Sequence, residues 1–107
     1  MTYQEKAKWI SECHKAVIPN VWHYFRPRQT PPYAIWQEDG ANIHYADNGA
    51  AEFAVTGTTD YFTKLEFDPA VDDIQDMFQK NGFAWTLNSV QYEEDTGLIH
   101  FEWAWEV

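Results

Sequence analysis

With 107 residues, 45% of them apolar and 18% aromatic, the chain has the length and composition of one folded domain, not of a disordered segment. Seventeen acids against seven Lys and Arg give a formal net charge of −10. That balance excludes a broad basic face for nucleic acid, and no run approaches the ~18 apolar residues of a membrane span.

Thr2 to Glu5 fits a capping box, with Thr2 as N-cap and Glu5 reaching back to it. Ala7, Ile10, Cys13 (or His14) and Val17 follow at helical spacing, and Pro19 stops the pattern, so a helix is expected from about Tyr3 to Ala16. Residues 1–6 hold no apolar signal-peptide core. Cys13 is the single cysteine, so no intrachain disulfide is possible. Both point to a cytoplasmic compartment.

Val21 to Phe25 is short, aromatic and β-prone. Arg26 to Pro32 holds three prolines and reads as a loop. Tyr33 to Trp36 reads as a strand, Glu38 to Asn42 as a turn, and Ala46 to Gly49 as a second turn. A long β stretch is expected from about Ala51 to Lys64. Phe53, Val55, Gly57, Thr59, Tyr61 and Thr63 share one parity, and Gly57 suggests a bend or bulge.

Asp68 and Pro69 open a second helix as N-cap and first helical residue. Val71, Ile74, Met77 and Phe78 form its apolar stripe. Asp72 and Asp73 in the first turn, Lys80 in the last and Gly82 beyond suit the dipole and C-cap rules. Phe83, Trp85 and Leu87 then alternate, and Val90 and Tyr92 continue on the opposite parity, so a bulge is expected at Asn88 and Ser89. Glu93 to Gly97 is a hairpin loop. From Leu98 to Val107, Ile99, Phe101, Trp103, Trp105 and Val107 alternate with polar or small residues, a strand with one apolar face. These elements predict one α+β domain over residues 1–107: an antiparallel-rich β-sheet with two helices packed on one face and a C-terminal β-hairpin.

Chemical motifs are sparse. Asp95, Thr96 and Gly97 spell the aspartic-protease triplet, but Glu93 and Glu94 precede it and ten residues follow, which suits an exposed hairpin better than a buried dyad. The four histidines, His14, His23, His44 and His100, show no ligand spacing. Cys13 reads as a small buried apolar residue. Asp72, Asp73 and Asp76 lack the glycine and spacing of a calcium loop. The tryptophans read as core before they read as a sugar or peptide groove. No catalytic residue, cofactor or metal ligand is therefore expected.

Charge is uneven along the chain. Up to Arg28 there are five basic residues against Glu5 and Glu12; beyond it, Lys64 and Lys80 face fifteen acids. A basic segment on an acidic body favours head-to-tail contact between copies. The expected interface pairs Arg26 and Arg28, in a proline-stiffened loop, with Glu93, Glu94 and Asp95.

Three stretches carry a resemblance: Gly57 to Lys64, the helix after Asp68 and Pro69, and Trp85 to Glu94 together with Trp103 to Val107. They resemble small proteins encoded among the tail genes of long-tailed bacteriophages and of prophages in Gram-positive bacteria, of the tail-terminator (tail-completion) type. The resemblance covers roughly residues 21–107. It implies a mixed α+β domain without enzymatic activity or cofactor. It also implies rings, commonly hexamers, that cap the tail tube and face the head connector, with the protein in the virion tail and, during assembly, in the host cytoplasm. No functional residue of that group can be transferred one by one. Another neck or minor tail component is the neighbouring possibility. An acidic binding module, a DNA mimic or a ligand for a basic partner, is the alternative from a different class.

Overall fold

The computed structural model describes residues 1–25, 30–45 and 51–107. The first element is α1 (Tyr3–Val17). Its capping box forms: the Glu5 amide donates to Thr2 Oγ1 at 3.1 Å, and the Thr2 amide donates to Glu5 Oε1 at 2.8 Å. Ile18, in extended backbone, ends it and is buried. β1 (Val21–His23) follows and stops where Tyr24 takes a φ of +72°, so the β-prone stretch is shorter than its composition suggests.

β2 (Tyr33–Tyr45) and β3 (Ala51–Thr63) form a long antiparallel hairpin. The expected turn at Glu38 to Asn42 is therefore a correction: the strand runs through it. Its turn-forming residues are absorbed as a bulge between Glu38 and Gly40, opposite Gly57. Gly57 itself introduces no bulge into β3. A Cβ there would lie 2.4 Å from the Gln37 carbonyl oxygen and 2.5 Å from Trp105, so close packing, not a bend, requires glycine. The turn read at Ala46 to Gly49 lies outside the described residues.

α2 (Pro69–Lys80) begins as its sequence dictates. Asp68 accepts from the Ala70 amide at 2.9 Å, and Gly82, at φ +77°, takes the left-handed position after the helix. β4 (Ala84–Glu93) and β5 (Leu98–Glu106) make the C-terminal hairpin, with the expected irregularity between Leu87 and Ser89. The fold is α+β: one five-stranded sheet in the order β1-β2-β3-β5-β4, antiparallel except for the β1–β2 pair.

Both helices lie on one face of the sheet. Alternate residues of the strands supply that face: Ala34 and Trp36; Val55, Thr59, Tyr61 and Thr63; Trp103 and Trp105. α1 adds Ile10, Cys13 and His14, and α2 adds Ile74, Met77 and Phe78. Ile99 and Phe101, expected in the core with the tryptophans, are only half-buried, because they lie toward the end of the sheet near the acidic hairpin. Past the Val55–Val107 backbone bonds, β2 and β3 pair only with each other, from Ala41 opposite Val55 to Tyr45 opposite Ala51. This two-stranded arm is braced at its base by α1, where Lys6 Nζ donates to the Phe53 carbonyl at 3.2 Å and sits 5.3 Å from the Phe53 ring centre. Among the described residues no helix is long and apolar enough to cross a membrane.

Candidate functional site

Two kinds of histidine lie against the two faces of the sheet, His14 projecting from α1 and His100 from β5. On the covered face His14 is fully buried. Its Nδ1–H donates to the Ile10 carbonyl at 2.8 Å, which leaves Nε2 as acceptor for the Thr59 hydroxyl at 2.7 Å. Thr59 Oγ1 in turn accepts from Trp105 Nε1 at 2.9 Å. Every polar atom of this relay is satisfied by a neighbour in the chain. Burial holds the His14 pKa down at about 4, so the ring is neutral near pH 7. Cys13 is buried beside it, and burial, with Glu12 next, pushes its thiol up; it is a packing residue and not a nucleophile.

A second cluster sits where β1 meets β2. The parallel register sets His23 opposite Trp36 on the covered face, and two residues on, Glu38 lies on that same face. His23 Nε2 donates to Glu38 Oε1 at 2.7 Å, and the Glu38 side chain is only 5% exposed. The His23 ring is held between Tyr24, with centroids 3.7 Å apart, and Trp36, 3.9 Å apart. Burial raises the Glu38 pKa, but hydrogen bonds from Tyr24 and His23 outweigh it and leave the carboxyl below its usual range. The same bond, followed by burial, pushes the Tyr24 phenol up to about 12. A carboxylate orienting an imidazole is a general-base arrangement in principle. Here both ring faces are occupied by aromatic neighbours, and among the described residues no hydroxyl or thiol nucleophile is hydrogen-bonded to the imidazole. The arrangement works as a clamp that fixes the end of β1 and the positive φ of Tyr24.

The third pair lies on the helix-free face. His100 Nε2 is 2.7 Å from Asp60 Oδ1, and the ring stacks on Phe62, which stacks on Tyr33. Two cavities lie apart from these hydrogen-bonded side chains. One, of about 560 Å³, lies between the end of α1, Pro31 and Pro32, and the start of α2, with Tyr61 and Asp68 in its wall. Tyr61 donates to Asp68 Oδ2 at 2.7 Å, so those polar atoms already serve each other. The other, of about 590 Å³, is a groove between the helices with an apolar floor of Trp9, Cys13 and Met77 and acids at its rim.

Of the residues expected at an interface, Glu94 and Asp95 are exposed on the β4–β5 turn, and Glu93, the last residue of β4, is half-buried. Asp95 thus sits on an open hairpin and not in a buried dyad. Arg26 and Arg28 lie outside the described residues. What the sequence reading missed is the His23–Glu38 pair and the His14 relay. The second had a signal in its helical spacing. The first had none, because the partners meet only through the parallel β1–β2 register.

Among the described residues no three His, Cys, Asp or Glu side chains are placed to hold a metal ion. The accessible features are surfaces. β4 is an unpaired sheet edge with Leu87, Val90 and Tyr92 exposed, and Leu65 and Phe67 stand out from the turn after β3. No protein-family model matches the chain, and no curated protein aligns significantly with it.

Proposed function

We propose that the chain is a structural subunit of a phage or prophage tail, a ring-forming tail terminator at the tail–head joint, and not an enzyme. The observation that carries an assembly role is the two-stranded arm beyond Val55. An isolated β-ribbon is marginally stable in water, so an arm of this kind gains most when a neighbouring subunit packs on it. The resemblance of Gly57 to Lys64, the helix after Asp68 and Pro69, Trp85 to Glu94 and Trp103 to Val107 to tail proteins supports the specific assignment. The chemistry of the clusters is consistent with it, since His14, His23 and Glu38 hold the fold together. An acidic wall also suits a lumen through which DNA passes, because phosphates find nothing to adhere to. Partners on this reading are further copies of the chain and other tail or head-connector proteins. No sequence-specific nucleic acid and no membrane is involved.

The test is charge reversal of Arg26 and Arg28 in a phage carrying the gene, scored by electron microscopy of tails. Uncapped or overlong tails, rescued by reversing Glu93, Glu94 and Asp95, support the reading. Normal-length, head-joined tails at wild-type yield reject that contact. A proteolytic activity abolished by Asp95→Asn would overturn the structural reading altogether.

A further inference from the structure

We infer that β4 pairs edge to edge with β4 of a second copy, antiparallel about a two-fold axis between Asn88 and Ser89, joining two five-stranded sheets into one. β4 is ten residues long and pairs on one side only, with β5. The opposite edge, β1, has only three residues. Edge strands are normally protected by charge, proline or brevity. From Ala84 to Tyr92 β4 carries no charged residue and no proline, and its one protective feature over that length is the bulge between Leu87 and Ser89. Its exposed residues include Leu87 at 38%, Val90 at 52% and Tyr92 at 65%.

Charge permits the occupant to be a second copy, and self-complementarity selects it. Two chains of net charge −10 repel over most of their surfaces. They approach most easily along a stretch that holds no charge. The sequence is also self-complementary about the proposed axis. Pairing Asn88 with Ser89 of the other copy sets Leu87 opposite Val90 and Trp85 opposite Tyr92. Within one chain these four residues pair with Trp103, Phe101, Trp105 and Ile99, so all four share the helix-bearing face. Apolar side chains thus meet apolar ones, the unit of sheet stabilisation. On the other face Thr86 meets Gln91. Glu93 falls opposite Ala84 and not opposite another acid. Each acidic hairpin is carried toward the end of the other copy's α2, where exposed Lys80 sits. The irregularity between Leu87 and Ser89 lies on the axis, so its twist is shared by both copies and leaves the register on either side intact. The inference needs only a second copy of the chain and stands apart from the tail reading.

The experiment combines sedimentation with register-specific cross-linking of the full chain. At about 100 µM the native chain should sediment as a dimer. Val90→Lys sets a lysine beside the axis in both copies and should weaken dimerisation by about 100-fold. Thr86→Lys, on the opposite face, should do the same while leaving the helix-bearing face untouched, and circular dichroism confirms folding of each variant. In a Cys13→Ala background, Leu87→Cys and Val90→Cys chains should each form no disulfide cross-link on oxidation, because like positions lie too far apart to bridge. Mixed together they should form a disulfide-linked heterodimer. A monomer at that concentration, an assembly indifferent to both lysines, or no cross-link in the mixture would each overturn the proposal.

Discussion

The two faces of this sheet are built from the same strands, yet they place their residues in different solvents. On β5, Trp103 and Trp105 are buried under the helices, whereas Glu102, Ala104 and Glu106, which alternate with them, stay in partial contact with water. On β3, Thr59 is fully buried and its neighbour Asp60 is not. The consequence is chemical as well as steric. A histidine on the covered side, His14, is neutral and bonded at both nitrogens to other residues. His100, on the open side, shares a carboxylate with solvent. The face of the sheet that a polar side chain meets, whether it projects from a strand or, like His14, from α1, therefore decides whether it becomes part of the scaffold or part of the surface.

The sharpest way to break this contrast is to remove the centre of the covered face. Trp103 is fully buried against Phe78, and its indole N–H donates to Gln75 Oε1 at 3.1 Å. Trp103→Ala should lower unfolding stability by about 3–5 kcal/mol, measured by urea titration. A loss below about 1 kcal/mol would mean that the helices do not seal this face.

Thr59→Val tests the polar relay beneath the helices with little change of volume. It removes the group that donates to His14 Nε2 and accepts from Trp105 Nε1. Two buried polar atoms lose their partner, and the expected cost is about 2–4 kcal/mol. Thr59→Ser keeps the hydroxyl and should recover most of the loss.

Acid provides a third probe. The folded His14 pKa, about 4, lies below its ordinary value of 6.5, so the unfolded chain takes up the proton first. Stability should fall as pH drops below about 6.5 and level off, for this group, below about 4. Two and a half pH units correspond to about 3 kcal/mol. Glu38 and Asp68 are also lowered, by hydrogen bonds that outweigh burial, and their contributions are lost nearer the acid end. The interval between pH 6.5 and 4.5 therefore separates the His14 contribution from those of the two carboxylates. His14→Gln should flatten the urea midpoint across it, and an unchanged slope would show that His14 does not resist protonation.

Much of the contrast was legible in the sequence. The parity of Val55, Thr59, Tyr61 and Thr63, the Asp68 and Pro69 start of α2, and the break at Asn88 and Ser89 all follow from local rules. The misreadings share a cause. Glu38 to Asn42 has turn chemistry, but pairing with β3 overrides it and stores the extra residue as a bulge. Gly57 looked like a bend because its requirement, room for Trp105 and the Gln37 carbonyl, comes from residues distant in the sequence. The parallel β1–β2 pair could not be read at all. Nothing local to residues 21–23 states which strand they join, and so the His23–Glu38 clamp was invisible. On the functional side, the acids of the β4–β5 turn were legible as an exposed hairpin. The self-complementarity of β4 depends on knowing that it is an edge.

The smallest effect is expected on the open face, and its smallness is the informative result. His100 and Asp60 are each about a quarter exposed in their side chains, 23% and 25%. Asp60→Asn keeps the shape of the side chain and an oxygen that can still accept from His100 Nε2. What is lost is the charge on the acceptor, in a place that water reaches. Partly exposed pairs of this kind contribute under about 1 kcal/mol, and the stacking of His100 on Phe62, 4.2 Å between centroids, is unaffected. The urea midpoint of Asp60→Asn should therefore stay close to that of the native chain, on the scale set by Trp103→Ala. A loss comparable to Thr59→Val would show that this face is shielded from water as the other is, and the contrast between the faces would fail.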